Sequence, residues 1–309
     1  MKNVDVNYFP GWVRKSVSFT IDDGNLVWDK KFIDIVKTGG IKGTFNLCNF
    51  HFDKLSPEGY RELYRGYEIA NHVRMHPFAL KDGVSYEIKE GPRPETGENS
   101  TDLYPHEREE GLYYVMAPRG WRLMATTDAY VRLTLEATAQ INEVFGQKAL
   151  GFVWPYHKQE NKELFERIKR MGFYAIRSTG ETSDTTGFEI PKDRTNWSYN
   201  ANNVSLLKNA KLYRDYPDDG SLKTFIFGVH AIDFERSGNW CDLEAFAEEY
   251  GGRPDEFWYA TNYEIFSYQD AVRAVVIKDD EIENPSDIAV YIKIDGAPTV
   301  LEPHAKIKL

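Results

Sequence analysis

His72-Val73-Arg74-Met75-His76 places two imidazoles four positions apart, and Asp22-Asp23-Gly24 closes the hydrophobic run Val17 to Ile21 about fifty residues earlier. Two imidazoles and a carboxylate from a strand end can converge on one divalent ion and leave coordination positions open for water, the layout of a catalytic metal centre. Either half alone carries little weight. Paired histidines arise by chance on many surfaces, and Asp-Asp-Gly suits an ordinary turn because Asp and Gly tolerate the backbone angles that turns require. Context adds the weight: Asp22-Asp23-Gly24 lies between a strand-like run and a helix-like segment, Trp28 to Val36, and the histidine pair follows strand-like Tyr67 to Ala70.

The elements that must position these residues alternate. Asp29 to Thr38 reads as a helix with apolar Phe32, Ile33, Ile35 and Val36 and a Gly39-Gly40 stop. Ile41 to Leu47 reads as the second strand. Asp128 to Phe145 is the clearest helix, with Val131, Leu135, Ile141 and Phe145 on one face, Asp128 as N-cap and Gly146 past its end. Leu150 to Trp154 returns as a strand, followed by a helix Glu160 to Met171, strands Phe173 to Arg177 and Thr224 to Val229, a helix Leu243 to Tyr250 and a strand Phe257 to Thr261. Strands alternating with helices imply a parallel sheet, with chemistry gathered at the strands' C-terminal ends. Every candidate site residue falls there.

Two stretches break the alternation. Residues 81–120 carry Gly91-Pro92-Arg93-Pro94 and a charged tract near Glu107 to Glu110, and read as a long loop insertion able to form a lid or rim. From Asn284-Pro285 onward the period changes to short β runs, Ile288 to Ile294 and Thr299 to Leu301, joined around Asp295-Gly296 as a hairpin. The expected organisation is one large α/β domain over 1–281 and a small β appendage over 282–309.

The 309 residues, 41% hydrophobic and 28% charged, fit a globular enzyme-sized fold. A formal net charge of −10 argues against nucleic acid or anionic membrane as partners held by bulk electrostatics. Cys48 and Cys241 are too few for a disulfide framework and too far apart for a thiolate metal site. The first eleven residues lack the apolar core of a signal peptide, and no run of 18 apolar residues occurs, so the expectation is a cytoplasmic protein. Trp121, Trp154, Tyr156, Trp197, Trp240 and Trp258 lie near the motifs, and for any one of them core packing is the first reading and a sugar-stacking face the second. His230 ends an apolar strand, where burial without a polar partner is costly, which favours a functional role.

In this order the motifs resemble the polysaccharide deacetylase family, the NodB-homology group of metal-dependent carbohydrate esterases (family 4-like), over roughly residues 15–275. Phe19-Thr20-Ile21-Asp22-Asp23-Gly24 resembles the first motif and Asn71 to Pro77 the second. Phe152-Val153-Trp154-Pro155-Tyr156 resembles the third, Asp193-Arg194-Thr195-Asn196-Trp197 the fourth and Gly228-Val229-His230 the fifth. The resemblance implies an α/β fold, a distorted (β/α)7 barrel, with Asp22 as catalytic base and Asp23, His72 and His76 as ligands of one divalent ion. Zn²⁺ is the first choice of ion, with Co²⁺, Mn²⁺ and Ni²⁺ as alternatives. It also implies the backbone N–H of Tyr156 as oxyanion donor, His230 as general acid, and Trp154, Trp197 and Asn196 beside an acetylated saccharide substrate.

Three positions depart from the family pattern. Val153 stands where an Arg usually orients the catalytic Asp, and Arg177 at the end of the next strand is the expected replacement, bridged by Asp193 if not in direct contact. Gly228 replaces an apolar residue that lines the acetyl pocket, and His157 stands where Gly is common. The implied reaction is hydrolysis of an acetamide or acetyl ester on a small or soluble sugar. Two alternatives stay open: an amidohydrolase of the same fold acting on a non-sugar C–N bond, and a metal-free descendant that only binds carbohydrate. Intact Asp22, Asp23, His72, His76 and His230 argue against the second, since a binding module needs neither acid nor base.

Overall fold

The computed structural model describes residues 2–97, 101–156, 161–181, 187–278 and 280–309. Seven parallel strands form the barrel: β1 (Lys15–Asp23), β2 (Thr44–Leu47), β3 (Glu68–Asn71), β4 (Gly151–Val153), β5 (Ala175–Glu181), β6 (Trp197–Tyr199) and β7 (Lys223–His230). Their order is β6-β5-β4-β3-β2-β1-β7, with Phe257–Tyr259 pairing beside the lower part of β1. An Ala201–Phe227 bridge brings the two edges together, with Gly228 N donating to Ala201 O at 2.8 Å and Asn200 N to Ile226 O at 2.7 Å. The expected (β/α)7 barrel is the fold observed.

Residue parity explains how β1 sorts its side chains. Val17, Phe19 and Ile21 point outward into a core shared with Phe225, Phe227 and Val229 of β7 and with Phe32, Val36, Phe246 and Tyr250 of the surrounding helices. Ser16, Ser18, Thr20 and Asp22 point inward and are buried. Each inward polar group is paired: Ser16 with Thr224 at 3.0 Å, Ser18 with Asn262 at 3.1 Å, and Thr20 with Asn46 at 2.8 Å. The barrel interior is therefore a hydrogen-bonded polar column, consistent with the rule that buried polar groups need partners. The helix Asn262–Ala274 closes its lower end, where Asn262 N donates to Thr44 Oγ1 at 3.2 Å and Tyr263 N to Glu68 Oε2 at 2.9 Å.

Thr127–Phe145 forms the expected long helix, but its N-cap is Thr126, whose hydroxyl accepts from Ala129 N at 3.2 Å; Asp128 sits inside the first turn. Gly146 ends it in the left-handed conformation, φ 64°. The insertion differs more from expectation. Instead of a long loop it builds a sheet from Glu87–Ile88, Asp102–Pro105, Leu112–Ala117 and Gly120–Ala125, joined by Phe78–Ala79. The Asp295-Gly296 hairpin forms, with φ values of 51° and 82° as a type I′ turn requires, and recruits Val4–Tyr8 as a third strand. The appendage thus includes a piece of the N-terminus, and a second small sheet combines Val276–Lys278, Glu281–Glu283 and Lys306–Lys308. Among the described residues no helix is long and apolar enough to cross a membrane.

Candidate active site

Asp22 and Asp23 end β1, Asn71 ends β3 just before His72, and His230 ends β7, so three strand ends deliver four functional side chains to one mouth. Asp23 has φ 79° and Gly24 φ 73°, and a β-carbon on Gly24 would meet Leu47 Cδ2 at 2.7 Å. The backbone angle is what favours glycine there, since the Leu47 methyl is a side-chain tip that can move. The turn directs the Asp23 carboxylate at the histidines: Asp23 Oδ1 lies 3.5 Å from the Nε2 of both His72 and His76, whose Nε2 atoms are 3.1 Å apart.

These separations permit a direct test of fit. Donors at 2.0–2.1 Å from one ion at tetrahedral angles stand about 3.3–3.4 Å apart, and the three atoms here form such a triangle. His72 Nδ1 lies 3.0 Å from Val153 O. A carbonyl only accepts, so Nδ1 carries the proton and Nε2 offers its lone pair. Asp23 Oδ1 is buried and has no hydrogen-bond partner. Burial and the neighbouring His72 hold His76 down at about 4, so its ring is neutral at neutral pH. The donor set fits a divalent ion, and it is the one such cluster among the described residues.

The loop that carries His72 and His76 adopts an unfavourable backbone. Val73, Met75 and His76 all have positive φ (57°, 66° and 50°), costly for side-chain-bearing residues. Side chains hold it in place: Asn71 Oδ1 accepts from Val73 N at 2.8 Å, and Asn49 Oδ1 accepts from Met75 N at 3.1 Å. Arg74 donates to Glu136 Oε2 at 2.6 Å and to both oxygens of Glu109 at 2.6 and 2.7 Å. Glu109 belongs to the insertion, which is thereby tied to the His72–His76 loop. Arg122, on the strand Gly120–Ala125 of the insertion sheet, lies 5.8 Å from the centre of the Tyr156 ring. Tyr156 has φ 64° and stacks on Phe78 at 3.5 Å, with its ring 4.5 Å from that of His76.

Asp22 is buried, and its Oδ1 accepts from Asn46 Nδ2 at 2.7 Å and from Arg177 Nη2. Arg177 itself is 1% exposed. Val153 and Arg177 are register partners on adjacent strands. The guanidinium thus arrives at the same height from one strand further along. Burial opposes the charged carboxylate, but Arg177, His72 and His230 outweigh it and hold Asp22 below the usual range. His230 Nδ1 is 2.8 Å from Asp233 Oδ2, which also accepts from His230 N at 3.2 Å, and His230 Nε2 is 3.7 Å from Asp23 Oδ2. Burial disfavours the charged ring, yet Asp233, Asp22 and Asp23 prevail and raise it to about 9. Asn46 and Asp233 were not anticipated from sequence. The signal for Asp233 is its place three residues after His230 at a helix start, where a carboxylate reaches back to the first N–H groups.

Other candidates lie elsewhere. Trp154 is fully buried, its ring packed with Phe152, Tyr130 and Phe165 on the outer, helix-covered face. Trp197 is 5% exposed and packs against Phe266. Both rings are core, which corrects their expected place beside a substrate. Asn196 Oδ1 accepts from Ser178 Oγ at 2.6 Å. Asp193 Oδ1 accepts from Thr195 N and Oγ1 at 2.9 and 2.7 Å, and the Arg177–Asp22 contact is direct, without it as a bridge. His157 lies outside the described residues.

One buried acid flanks the site without joining it. Asp29 is 0% exposed, accepts from Tyr64 OH at 2.7 Å through Oδ2, and leaves Oδ1 without a hydrogen bond. Burial, reinforced by the charges of Asp23 and Asp22 and opposed by Tyr64, pushes it up to about 8. Between about pH 4 and 8 the unfolded chain has lost a proton that the folded chain keeps, so this group makes stability fall as pH rises. Asp29→Asn is expected to melt close to wild type at pH 4 and a few degrees higher at pH 8, roughly 2–4 °C per kcal/mol relieved. An equal difference at both pH values would refute the neutral, buried acid.

The model of the polysaccharide deacetylase family matches residues 13–176. Among solved structures, a candidate polysaccharide deacetylase from Mycobacterium smegmatis is similar at 15% identity, covering 87% of this chain and 94% of its own, with a TM-score of 0.52. The polysaccharide deacetylase Bc1974 from Bacillus cereus is similar at 14% identity over 82% of this chain and 94% of its own, TM-score 0.44. Peptidoglycan deacetylase PdaC from Bacillus subtilis is similar at 14% identity over 84% and 94%, TM-score 0.45. The likeness in fold rests on the first of the three. No curated protein matches the chain.

Proposed function

The chain belongs to the polysaccharide deacetylase family, and on that premise we propose that it is a metal-dependent hydrolase removing an acetyl group from an N- or O-acetylated carbohydrate. The observation that carries this reading is the convergence of the Asp23, His72 and His76 donors within one ion's reach, beside a buried carboxylate on one side and a charged imidazole on the other. A bound divalent ion, Zn²⁺ first among those such donors take, would supply Lewis-acid polarisation of the acyl oxygen and of the attacking water.

The protein's own residues supply the proton transfers. Arg177 and Asn46 both occupy Oδ1 of Asp22, which fixes the carboxylate and leaves Oδ2 to receive the proton of the attacking water. Holding Asp22 low keeps it ionised. His230, lifted to about 9 and fixed through Nδ1 by Asp233, carries a proton on Nε2 at neutral pH and delivers it to the departing nitrogen or oxygen. Two titratable groups pushed to opposite sides of neutrality take the roles of base and acid. Tyr156 N–H is the proposed donor to the developing oxyanion.

The insertion sheet borders the mouth through Phe78 and Arg122, which supports a short or soluble saccharide over an insoluble polymer. With the metal-reconstituted protein, acetate release over a panel of N-acetyl and O-acetyl saccharides is expected on at least one mono- or oligosaccharide, and more slowly on insoluble chitin or peptidoglycan. Hydrolysis of a cyclic ureide or formamide with no acetate from any sugar would replace this reading with the non-sugar amidohydrolase. Equal rates on polymer and short saccharide would remove the size restriction.

A further inference from the structure

Gly228 lacks a backbone reason to be glycine. Its φ lies outside the left-handed region, and it sits within the regular ladder of β7 with β1. The reason is space. A β-carbon at 228 would lie 2.2 Å from Cδ1, 2.5 Å from Cγ and 2.6 Å from Cε1 of Tyr199. Cγ is anchored one bond from the side chain's root, so the ring cannot swing away as a long flexible tip could. Residues 228 and 230 share the inward face of β7 by parity, so the Tyr199 ring fills the barrel interior just below the reacting groups.

On its other side the ring meets Arg177, whose Cζ is 5.3 Å from the ring centroid, within cation–π range. The guanidinium is thus held between an aromatic ring and the Asp22 carboxylate. The register of β5 with β6 shifts between the Arg177–Trp197 and Glu181–Tyr199 pairs, an irregularity of the kind that re-aims side chains. Three features that look unrelated in sequence form one contact chain: glycine at 228 admits Tyr199, Tyr199 backs Arg177, and Arg177 holds Asp22.

We infer that Tyr199 is a positioning residue, its ring seating Arg177 against Asp22 in a space that Gly228 leaves open. The inference deepens the proposed function, since it rests on Asp22 being the base. Its structural half is independent of any activity. Gly228→Ala is expected to lower Tm by about 3–8 °C, the scale of overpacking in a chain this size, and by less than about 2 °C when Tyr199→Ala is already present. The same loss in both backgrounds would overturn the claim that Gly228 makes room for the ring.

The positioning half is read on the zinc-reconstituted protein, folded by melt and with unchanged metal content. The Arg177 guanidinium N–H resonances should be slowly exchanging in wild type and in Tyr199→Phe, and lost to solvent exchange in Tyr199→Leu. On an acetylated saccharide, Tyr199→Leu should lower kcat about ten- to a hundredfold, the cost of a misplaced group, with KM within about twofold, while Tyr199→Phe restores kcat. If Phe fails as Leu does, or the guanidinium signals survive in Tyr199→Leu, Tyr199 does not seat Arg177. Absence of acetate release from wild type, with the melts and resonances behaving as stated, would overturn the deacetylase reading and leave the contact chain standing.

Discussion

Asp22→Asn and His230→Ala are each expected to cut acetate release by at least about 10²-fold, the usual scale for loss of a general base or acid, while metal content persists. The geometry separates these residues from ion binding: Asp22 Oδ1 is occupied by Arg177 and Asn46, and His230 Nδ1 by Asp233. Neither belongs to the three-donor cluster. Asparagine at 22 keeps the shape but cannot take a proton, and it leaves the buried Arg177 without its counter-charge, so some loss of stability should accompany the loss of rate. His230→Ala should be milder on the fold, because Asp233 still accepts from the backbone N–H of residue 230 at the helix start. Turnover, melting temperature and metal content measured together distinguish these cases. Near-normal turnover in either variant removes its assigned role, and loss of the ion in both would make them parts of the binding site.

What the sequence made legible follows from local periodicity. Alternating strands and helices implied a parallel sheet, the resemblance of the ordered motifs implied its closure into a barrel, and the strand-end positions of Asp22, Asp23, His72, His76 and His230 brought them to one mouth. Trp154 was misread although parity held the answer: Phe152 and Trp154 share a face, Val153 turns inward, and a ring beside Phe152 is core. Trp197 faces inward but lies low, against the closing helix residue Phe266. Its depth depends on the position of that helix, which no local pattern encodes. Asn46 was hidden for a similar reason. An asparagine in a short strand looks like a strand end until the register pairs it with Asp22. In the insertion, Leu112–Ala117 and Gly120–Ala125 are β-rich on either side of a two-residue turn, but proline and charge in the flanks masked them. Arg177 was legible because only one arginine ends the strand next to Val153.

The largest single effect expected is at His72. His72→Ala removes the ligand whose ring is most firmly fixed, 1% exposed and hydrogen-bonded through Nδ1 to Val153 O, and leaves Asp23 Oδ1 and His76 Nε2 as two donors that no longer enclose an ion. Removing even a partner that only orients a metal ligand typically costs 10–100-fold in affinity, and removing the ligand itself should cost more. Protein purified without chelator and reconstituted with Zn²⁺ should carry about one ion per chain by elemental analysis, and His72→Ala close to none under the same dialysis. The ion should also raise the melting temperature of wild type, since a ligand that binds only the folded state stabilises it, and this increment should vanish in His72→Ala. The loop makes that readout sensitive, because Val73, Met75 and His76 hold positive φ angles that the bound ion would help to maintain. A wild-type chain that stays metal-free after reconstitution, with no zinc-dependent shift in its melt, would sink the metal-dependent reading. Retention of a full equivalent by His72→Ala would move the site to other donors.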